Sequence, residues 1–410
     1  MIEQAVILCG GLGTRLGALT AATPKPLLPV ADTPFLQILM QEIARCGVRK
    51  FLLLAGHLSE QIVDFAAGMN ARLGSGFDVQ VAIESKPAGT GGALHEARDR
   101  LDACFLLLNG DSYLDVALHN LGRMLAADAE AFGAIALRHV PDSGRYGAVG
   151  LEGRTVVSFR EKDPGFGSGL INGGIYLLRR TVLDFVMADC SLERDVLPII
   201  ASQGRLLGHR VDDGFFIDIG LPETYEQAQQ DLTAHRRRPA VFLDRDGVIN
   251  RDDGHVGTID RFVWTDGALD AIRMFNDRRF YVFVVTNQAG IAKEKFDLES
   301  YWRLRDHIRG ELFIKGAQID DERFCPYHPE GTDPRWRQHS DWRKPEPGML
   351  LDLMRAWPID PSRSFLIGDQ DTDMLAARAA GLEGYRFTGG NLLDFAQSCL
   401  GSREANKKVH

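Results

Sequence analysis

Short apolar runs at residues 5–8, 51–55, 79–83, 104–108, 134–137 and 175–178 alternate with longer amphipathic stretches, and the rhythm begins afresh at residues 240–243. An uninterrupted apolar run reads as a strand buried on both faces, and a helix-length stretch between two such runs reads as the crossover joining parallel neighbours. The expected fold is therefore α/β, two Rossmann-like domains each built on a largely parallel sheet. What separates them is a polar, basic stretch, Thr233-Ala-His-Arg-Arg-Arg-Pro239. It sets a first domain at residues 1–234 and a second at 239–400, the latter with strands at 240–243, 281–285 and 364–367. A chain of 410 residues exceeds what one core usually organises, which agrees with two domains.

Composition narrows the function classes. The chain is 45% hydrophobic and 25% charged, as ordinary globular proteins are, and its net charge of -9 argues against non-specific binding to nucleic acid or a membrane surface. No apolar run reaches membrane-spanning length, and no basic leader precedes the first strand. The six cysteines, Cys9, Cys46, Cys104, Cys190, Cys325 and Cys399, lack the dense spacing of a disulfide framework, so a reducing cytoplasmic setting is expected.

The chemistry-bearing residues stand where apolar runs end. After the first run comes Gly10-Gly-Leu-Gly-Thr-Arg-Leu16, whose glycines let backbone N–H groups approach a phosphate chain and whose Arg15 follows at once. It is neither a Walker A loop nor a dinucleotide fingerprint. Pro24-Lys-Pro-Leu-Leu-Pro-Val30 then holds Lys25 between two prolines that stiffen its backbone. Alone, that lysine would be a surface residue in a turn; beside a phosphate cradle it is a positioned cation. Asp111 ends the run at 104–108, and Asp218, in Asp218-Ile-Gly-Leu-Pro222, is a second candidate carboxylate. Taken singly each is more commonly a turn or capping residue, but Mg²⁺ takes one or two carboxylates and completes its shell with phosphate oxygens and water.

Together with Glu84-Ser-Lys-Pro-Ala-Gly-Thr-Gly-Gly-Ala93, Arg145-Tyr-Gly147, Phe159-Arg-Glu-Lys162 and Ile171-Asn-Gly-Gly-Ile-Tyr176, these segments resemble the sugar-phosphate nucleotidylyltransferases over residues 1–230. The pattern looks closest to heptose-1-phosphate guanylyltransferases, with mannose-1-phosphate guanylyltransferases and hexose-1-phosphate uridylyl- or thymidylyltransferases as near relatives. The resemblance implies attack by a sugar phosphate on the α-phosphorus of a nucleoside triphosphate, GTP favoured, with release of pyrophosphate. It implies that Arg15 and Lys25 stabilise the developing charge, and that Asp111 and Asp218 hold Mg²⁺. It also implies that Gly10, Gly11, Gly13, Thr14, Glu84, Gly89, Thr90 and Gly91 line the nucleotide, and that Glu161, Lys162, Asn172 and Gly173 hold the sugar and its phosphate.

In the second domain Asp244-Arg-Asp-Gly-Val-Ile-Asn250 ends an apolar run, so Asp244 and Asp246 can address one site if the chain stays extended. An isolated Asp-x-Asp is usually structural, and its companions decide. They are Thr286-Asn-Gln-Ala-Gly290, Arg343-Lys-Pro-Glu-Pro347 and Ile367-Gly-Asp-Gln-Asp-Thr-Asp-Met374. The set resembles haloacid-dehalogenase-like phosphatases over residues 239–395, narrowed by its wording to the heptose-1,7-bisphosphate 7-phosphatase branch, with histidinol-phosphate phosphatases close by. The resemblance implies Asp244 as nucleophile, Asp246 as general acid/base, and Thr286, Asn287 and Lys344 as phosphoryl-binding residues. It further implies Arg343 as a substrate contact and Asp244, Asp246 and Asp369 around Mg²⁺.

That branch commonly carries a zinc loop before its Arg-Lys-Pro segment, and here the pattern is degraded. Cys325 remains, but Tyr327 stands at the expected histidine, and Ser340 and Trp342 at the later cysteines. Cys325 with His328, His339 and Asp341 is a conceivable alternative ligand set; the expectation is a metal-free loop packed on its aromatics. The two resemblances meet in one pathway, 7-dephosphorylation of a heptose bisphosphate followed by nucleotidyl transfer to the heptose 1-phosphate. Rival readings are another sugar or base for the same reactions, or a sugar-nucleotide-binding regulatory protein with one inactive domain. Homo-oligomerisation is left open.

Overall fold

The computed structural model describes residues 2–73, 77–144, 146–159 and 167–407. The chain forms two compact units, residues 1–234 and 235–410.

The first unit is built on a nine-stranded sheet in the order Asp78–Ile83, Lys50–Ala55, Gln4–Leu8, Cys104–Asn109, Gly169–Arg179, Gly133–Val140, Leu206–Val211, Thr155–Phe159, Val149–Glu152. Its first four strands run parallel. The inner three are buried on both faces, so alternate side chains feed two cores: Ala5, Ile7, Leu53 and Leu106 enter one, Val6, Leu52 and Leu107 the other. Beyond them the sheet is mixed. Gly169–Arg179 is antiparallel to both neighbours, and Val149–Glu152 returns as Thr155–Phe159 through a tight turn with Gly153 at φ 59°. The expected parallel arrangement thus holds for the first four strands and for the pair Leu206–Val211 and Gly133–Val140, while Gly169–Arg179 and the hairpin closed by a two-residue turn run antiparallel.

A short ladder, Ser112–Leu114 against Phe216–Asp218, stands on the carboxyl side of the sheet. It is anchored by a small core in which Phe35, Ile38 and Leu39 of helix Phe35–Arg45 meet Tyr113, Ile217, Ile219, Ala228 and Leu232. The same helix turns Leu36, Met40 and Ile43 to the main core, an i, i+4, i+7 stripe.

The second unit has five parallel strands, ordered Asp321–Cys325, Tyr281–Asn287, Ala240–Leu243, Phe365–Gly368, Glu383–Arg386. Here too the central strands are clothed on both faces. Val241, Leu243, Val282 and Val284 face the helix Ala268–Asp277, while Phe242, Phe283 and Val285 face Met349, Leu350 and Leu353 of Gly348–Ala356. Phe242 and Phe283 are fully buried, each contributing roughly 1.5–3 kcal/mol by area. No helix among the described residues is long and apolar enough to cross a membrane.

Candidate functional site

Parallel α/β sheets leave their reactive side chains beyond the carboxyl ends of the strands, and both units obey this. In the first, Gln4–Leu8 leads into Gly10, Lys50–Ala55 into Gly56, Asp78–Ile83 into Glu84, and Cys104–Asn109 into Asp111. Lys25 Nζ donates to Asp111 Oδ2 at 2.5 Å, and Ser112 Oγ donates to Asp111 Oδ1 at 3.1 Å. Asp218 is brought alongside by the ladder, pairing with Ser112, while Ile219 N–H donates to the Asp111 carbonyl. A Cβ on Gly220 would lie 2.6 Å from Asp218 Oδ1, 3.0 Å from Lys25 Nζ and 3.4 Å from Arg15 Nη2. One carboxylate and two cations therefore converge on one glycine, where only a bare backbone leaves room, and Asp111 joins them through Lys25.

Gly11 (φ 104°) and Gly13 (φ 60°) adopt the left-handed backbone that frees their N–H groups, and Thr14 opens the 3-10 turn Thr14–Thr20. A Cβ on Gly10 would come within 2.5 Å of Glu84 Oε1, so Glu84 closes over that loop. Burial pushes the Glu84 carboxyl up, and the negative charge of Glu96 adds to the rise.

Gly89, Thr90 and Gly91, expected at the nucleotide, pack on residues 190–193. The Gly91 and Gly92 N–H groups donate to the Cys190 carbonyl, a Cβ on Gly89 would strike the same oxygen at 2.6 Å, and Thr90 Oγ donates to Glu193 Oε2 at 2.7 Å. The glycines are there because the segment packs flush on residues 190–193. Asn172 Nδ2 donates to Tyr176 Oη at 2.7 Å, and Tyr176 Oη to Glu193 Oε1 at 3.5 Å. Glu193 therefore joins the Asn172 and Thr90 segments, a junction that sequence reading missed. Gly173 lies against Leu114 and the Ala136 carbonyl. Glu161 and Lys162, with Arg145, lie outside the described residues.

In the second unit Asp244 follows Ala240–Leu243, Thr286 lies near the end of Tyr281–Asn287, and Asp369 follows Phe365–Gly368. Lys344 Nζ sits 2.9 Å from Asp244 Oδ1 and 2.5 Å from Asp373 Oδ1, and donates to the Val285 carbonyl. Asn287 does not face the centre; it clamps the Lys344 backbone, accepting from its N–H and donating to its carbonyl at 3.0 Å each. Burial pushes the Asp244 carboxyl up to about 7 against the pull of Lys344, with Asp373 and Asp246 adding to the rise. Burial works against the Lys344 charge, yet Asp244 and Asp373 hold its pKa above the ordinary value. Arg343 is half buried, which lowers its pKa, and its guanidinium reaches the Tyr327 carbonyl at 3.5 Å.

Among the described residues, Asp244, Asp369 and Asp373 are the one group of three or more carboxylate, imidazole or thiol side chains close enough to share an ion, all within 4.8 Å. Asp369 Oδ1 is buried with no hydrogen-bond partner. An orphaned carboxylate oxygen in an all-oxygen set with three acids and one lysine fits a hard divalent cation. Asp246, expected around the ion, lies outside this group of three. Its carboxylate is held by Arg245, Asn250 and Gln288, and Asp373, in the first turn of helix Asp371–Ala379, takes the third place. The Cys325 thiol is buried, 3.8 Å from the Tyr327 carbonyl; the Tyr327 and Trp336 rings meet at a tilt, centroids 5.5 Å apart, and His328 Nδ1 accepts from the Glu330 N–H.

A nucleotidyl transferase family model matches residues 4–235, and a HAD-hydrolase-like model matches residues 341–392. The chain is 49% identical over 164 residues to the D-glycero-beta-D-manno-heptose-1,7-bisphosphate 7-phosphatase of Rhodopseudomonas palustris, covering 40% of this chain and 91% of that protein. It is 42% identical over 143 residues to the D-glycero-alpha-D-manno-heptose-1,7-bisphosphate 7-phosphatase of Burkholderia mallei, covering 35% and 76%. Among solved structures, HddC from Yersinia pseudotuberculosis is 31% identical, covers 56% of this chain and 100% of its own, and has a TM-score of 0.49.

Proposed function

We propose, from the premise that the chain belongs to the nucleotidyl transferase family and, in its second unit, to the heptose-1,7-bisphosphate 7-phosphatases, that it is a bifunctional enzyme of activated-heptose synthesis. The second unit removes the 7-phosphate of D-glycero-D-manno-heptose 1,7-bisphosphate. The first joins the resulting heptose 1-phosphate to a nucleotide taken from GTP, releasing pyrophosphate. The observation that carries the substrate is the second unit's kinship to these phosphatases, joined in one chain to a nucleotidyl transferase. Relatives are named for both the β and the α anomer, so the anomer is set by whichever 1-phosphate the first unit accepts.

In the second unit, Asp244 attacks the phosphorus while Lys344 and the Thr286 hydroxyl take the phosphoryl oxygens. Asp246 gives its proton to the departing sugar oxygen, then receives one from the water that hydrolyses the aspartyl phosphate. Asp244, Asp369 and Asp373 here, and Asp111 and Asp218 in the first unit, would hold Mg²⁺, which when bound would supply positive charge against the phosphoryl oxygens. In the first unit little covalent chemistry falls to the protein. Arg15 and Lys25 are preorganised beside the carboxylates, placed to stabilise the charge that builds on the α-phosphoryl group and the leaving pyrophosphate.

Glu84 supports the choice of base. A carboxylate presents two acceptors and no donor, which matches the adjacent N1–H and N2–H groups of guanine and no comparable pair on uracil, thymine or adenine.

The test is phosphate release from the bisphosphate, then pyrophosphate release on adding each triphosphate. Asp244→Asn abolishes the first and leaves transfer to heptose 1-phosphate intact; Asp111→Ala does the reverse. Loss of both activities from either change would refute two independent centres.

A further inference from the structure

Arg245 separates the two aspartates of the phosphatase motif, where a spacer of any kind would serve if only spacing mattered. It is instead 3% exposed, and its guanidinium is engaged through Nε and Nη2. Nε lies 3.2 Å from Asp246 Oδ1, and Nη2 donates to both Asp246 oxygens at 3.0 Å, to Gln288 Oε1 at 3.1 Å and to the Val256 carbonyl. Its plane lies over the Tyr301 ring, 5.5 Å from the centroid, and the Tyr301 hydroxyl donates to Glu322. Two amides complete the hold on the carboxylate: Asn250 Nδ2 donates to Oδ1 at 3.0 Å, and Gln288 Nε2 to Oδ2 at 2.8 Å. Gln288 Nε2 also donates to Thr286 Oγ at 2.8 Å, so one buried amide ties the proposed acid/base to the proposed phosphoryl-binding hydroxyl.

Burying a guanidinium costs several kcal/mol per ion unless it is paired. Here its near partner is a residue whose orientation the reaction needs. We infer that Arg245, aided by Gln288, is the positioning residue for proton transfer, fixing the Asp246 carboxylate in one rotamer beside the phosphoryl pocket. This rests on the phosphatase reading above. As the Asp244–phosphorus bond forms and the bond to the sugar oxygen breaks, that oxygen takes the proton carried by Asp246. As water attacks and the Asp244–phosphorus bond breaks, the water's proton returns to Asp246. Arg245 touches neither substrate nor transferring atoms; it acts through Asp246.

The readout is leaving-group dependence, which a general loss of structure does not move. A sugar oxygen leaves poorly without a proton, whereas p-nitrophenolate leaves without one. In the full chain, Arg245→Met is expected to slow single-turnover phosphate release from the heptose bisphosphate by about 10- to 100-fold, a share of what a general acid supplies. KM should stay within about twofold, and the burst of p-nitrophenolate from p-nitrophenyl phosphate within about threefold, with Arg245→Lys recovering part of the sugar-phosphate rate. Gln288→Met, which buries no unpaired charge, should show the same selectivity more mildly and decides the matter if Arg245→Met does not fold. Equal losses on both substrates in the folded variants, or no loss on either, overturn the inference. A wild-type protein that releases phosphate from neither substrate instead overturns the phosphatase reading beneath it.

Discussion

Lys344 is the cation on which the second unit's buried acids depend, and Lys344→Met tests that dependence while keeping most of the side chain's bulk. Removing one partner of a buried ion pair typically costs about 3–5 kcal/mol. Here the cost should depend on pH with a definite sign. The Asp244 carboxyl is raised from near 4 to about 7, chiefly by burial, with Lys344 already pulling against the rise. A raised carboxyl makes the folded state bind more protons than the unfolded one. Its contribution is therefore favourable at low pH and is lost as pH climbs from about 4 through about 7, roughly 4 kcal/mol over that window. Without Lys344 the folded pKa rises further and the window extends upward. Asp373 loses its 2.5 Å partner at either pH, so Lys344→Met should cost stability at both, and the share from Asp244 should make the penalty at pH 8, about 3–5 kcal/mol, larger than that at pH 5. With a urea slope of roughly 2 kcal/mol per molar, the pH 8 midpoint falls by roughly 2 M. All five tryptophans, Trp264, Trp302, Trp336, Trp342 and Trp357, lie in the second unit, so tryptophan fluorescence in urea with chelator present reports that unit alone. A penalty equal at both pH values, or larger at pH 5, would refute the reasoning.

Asp369→Asn should remove Mg²⁺-dependent stabilisation of the tryptophan transition and abolish phosphate release, while leaving pyrophosphate release from heptose 1-phosphate within about twofold. A Mg²⁺ shift that survives the change counts against this carboxylate group as the ion's site. Glu84→Gln replaces a two-acceptor edge with one donor and one acceptor, so kcat/KM for GTP should drop by about 10- to 100-fold, with a smaller change for UTP. An equal loss for both triphosphates, measured by pyrophosphate release, would remove Glu84 from base selection.

What the sequence made legible follows from one physical circumstance. A strand buried on both faces tolerates no polar residue until it ends, so Asp111, Asp244 and Asp369 announce themselves as the first carboxylates after apolar runs. Among the strands that were missed, Asp321–Cys325 and Glu383–Arg386 lack that contrast, being half-buried edges carrying charges. Asp373 was hidden because an acid in a helix's first turn is ordinary helix chemistry, and only the fold carries it back to Lys344. Arg245 reads as a spacer and Gln288 as part of a loop, since nothing in sequence shows that both converge on Asp246. The glycines at 89 and 91 illustrate the converse. The resemblance places them at the nucleotide, and close packing on Cys190 also demands a missing side chain there.

The strand that delivers Asp244 comes first in the second unit's sequence yet lies at the centre of its sheet. During synthesis Asp244 emerges well before Lys344, Asp369 and Asp373, and parallel pairings between segments distant in sequence form slowly. The phosphatase centre is thus among the last features the nascent chain acquires, whereas every residue of the transferase centre is synthesised before Asp244. The order in which the two centres come into being is the reverse of the order in which a sugar bisphosphate would visit them.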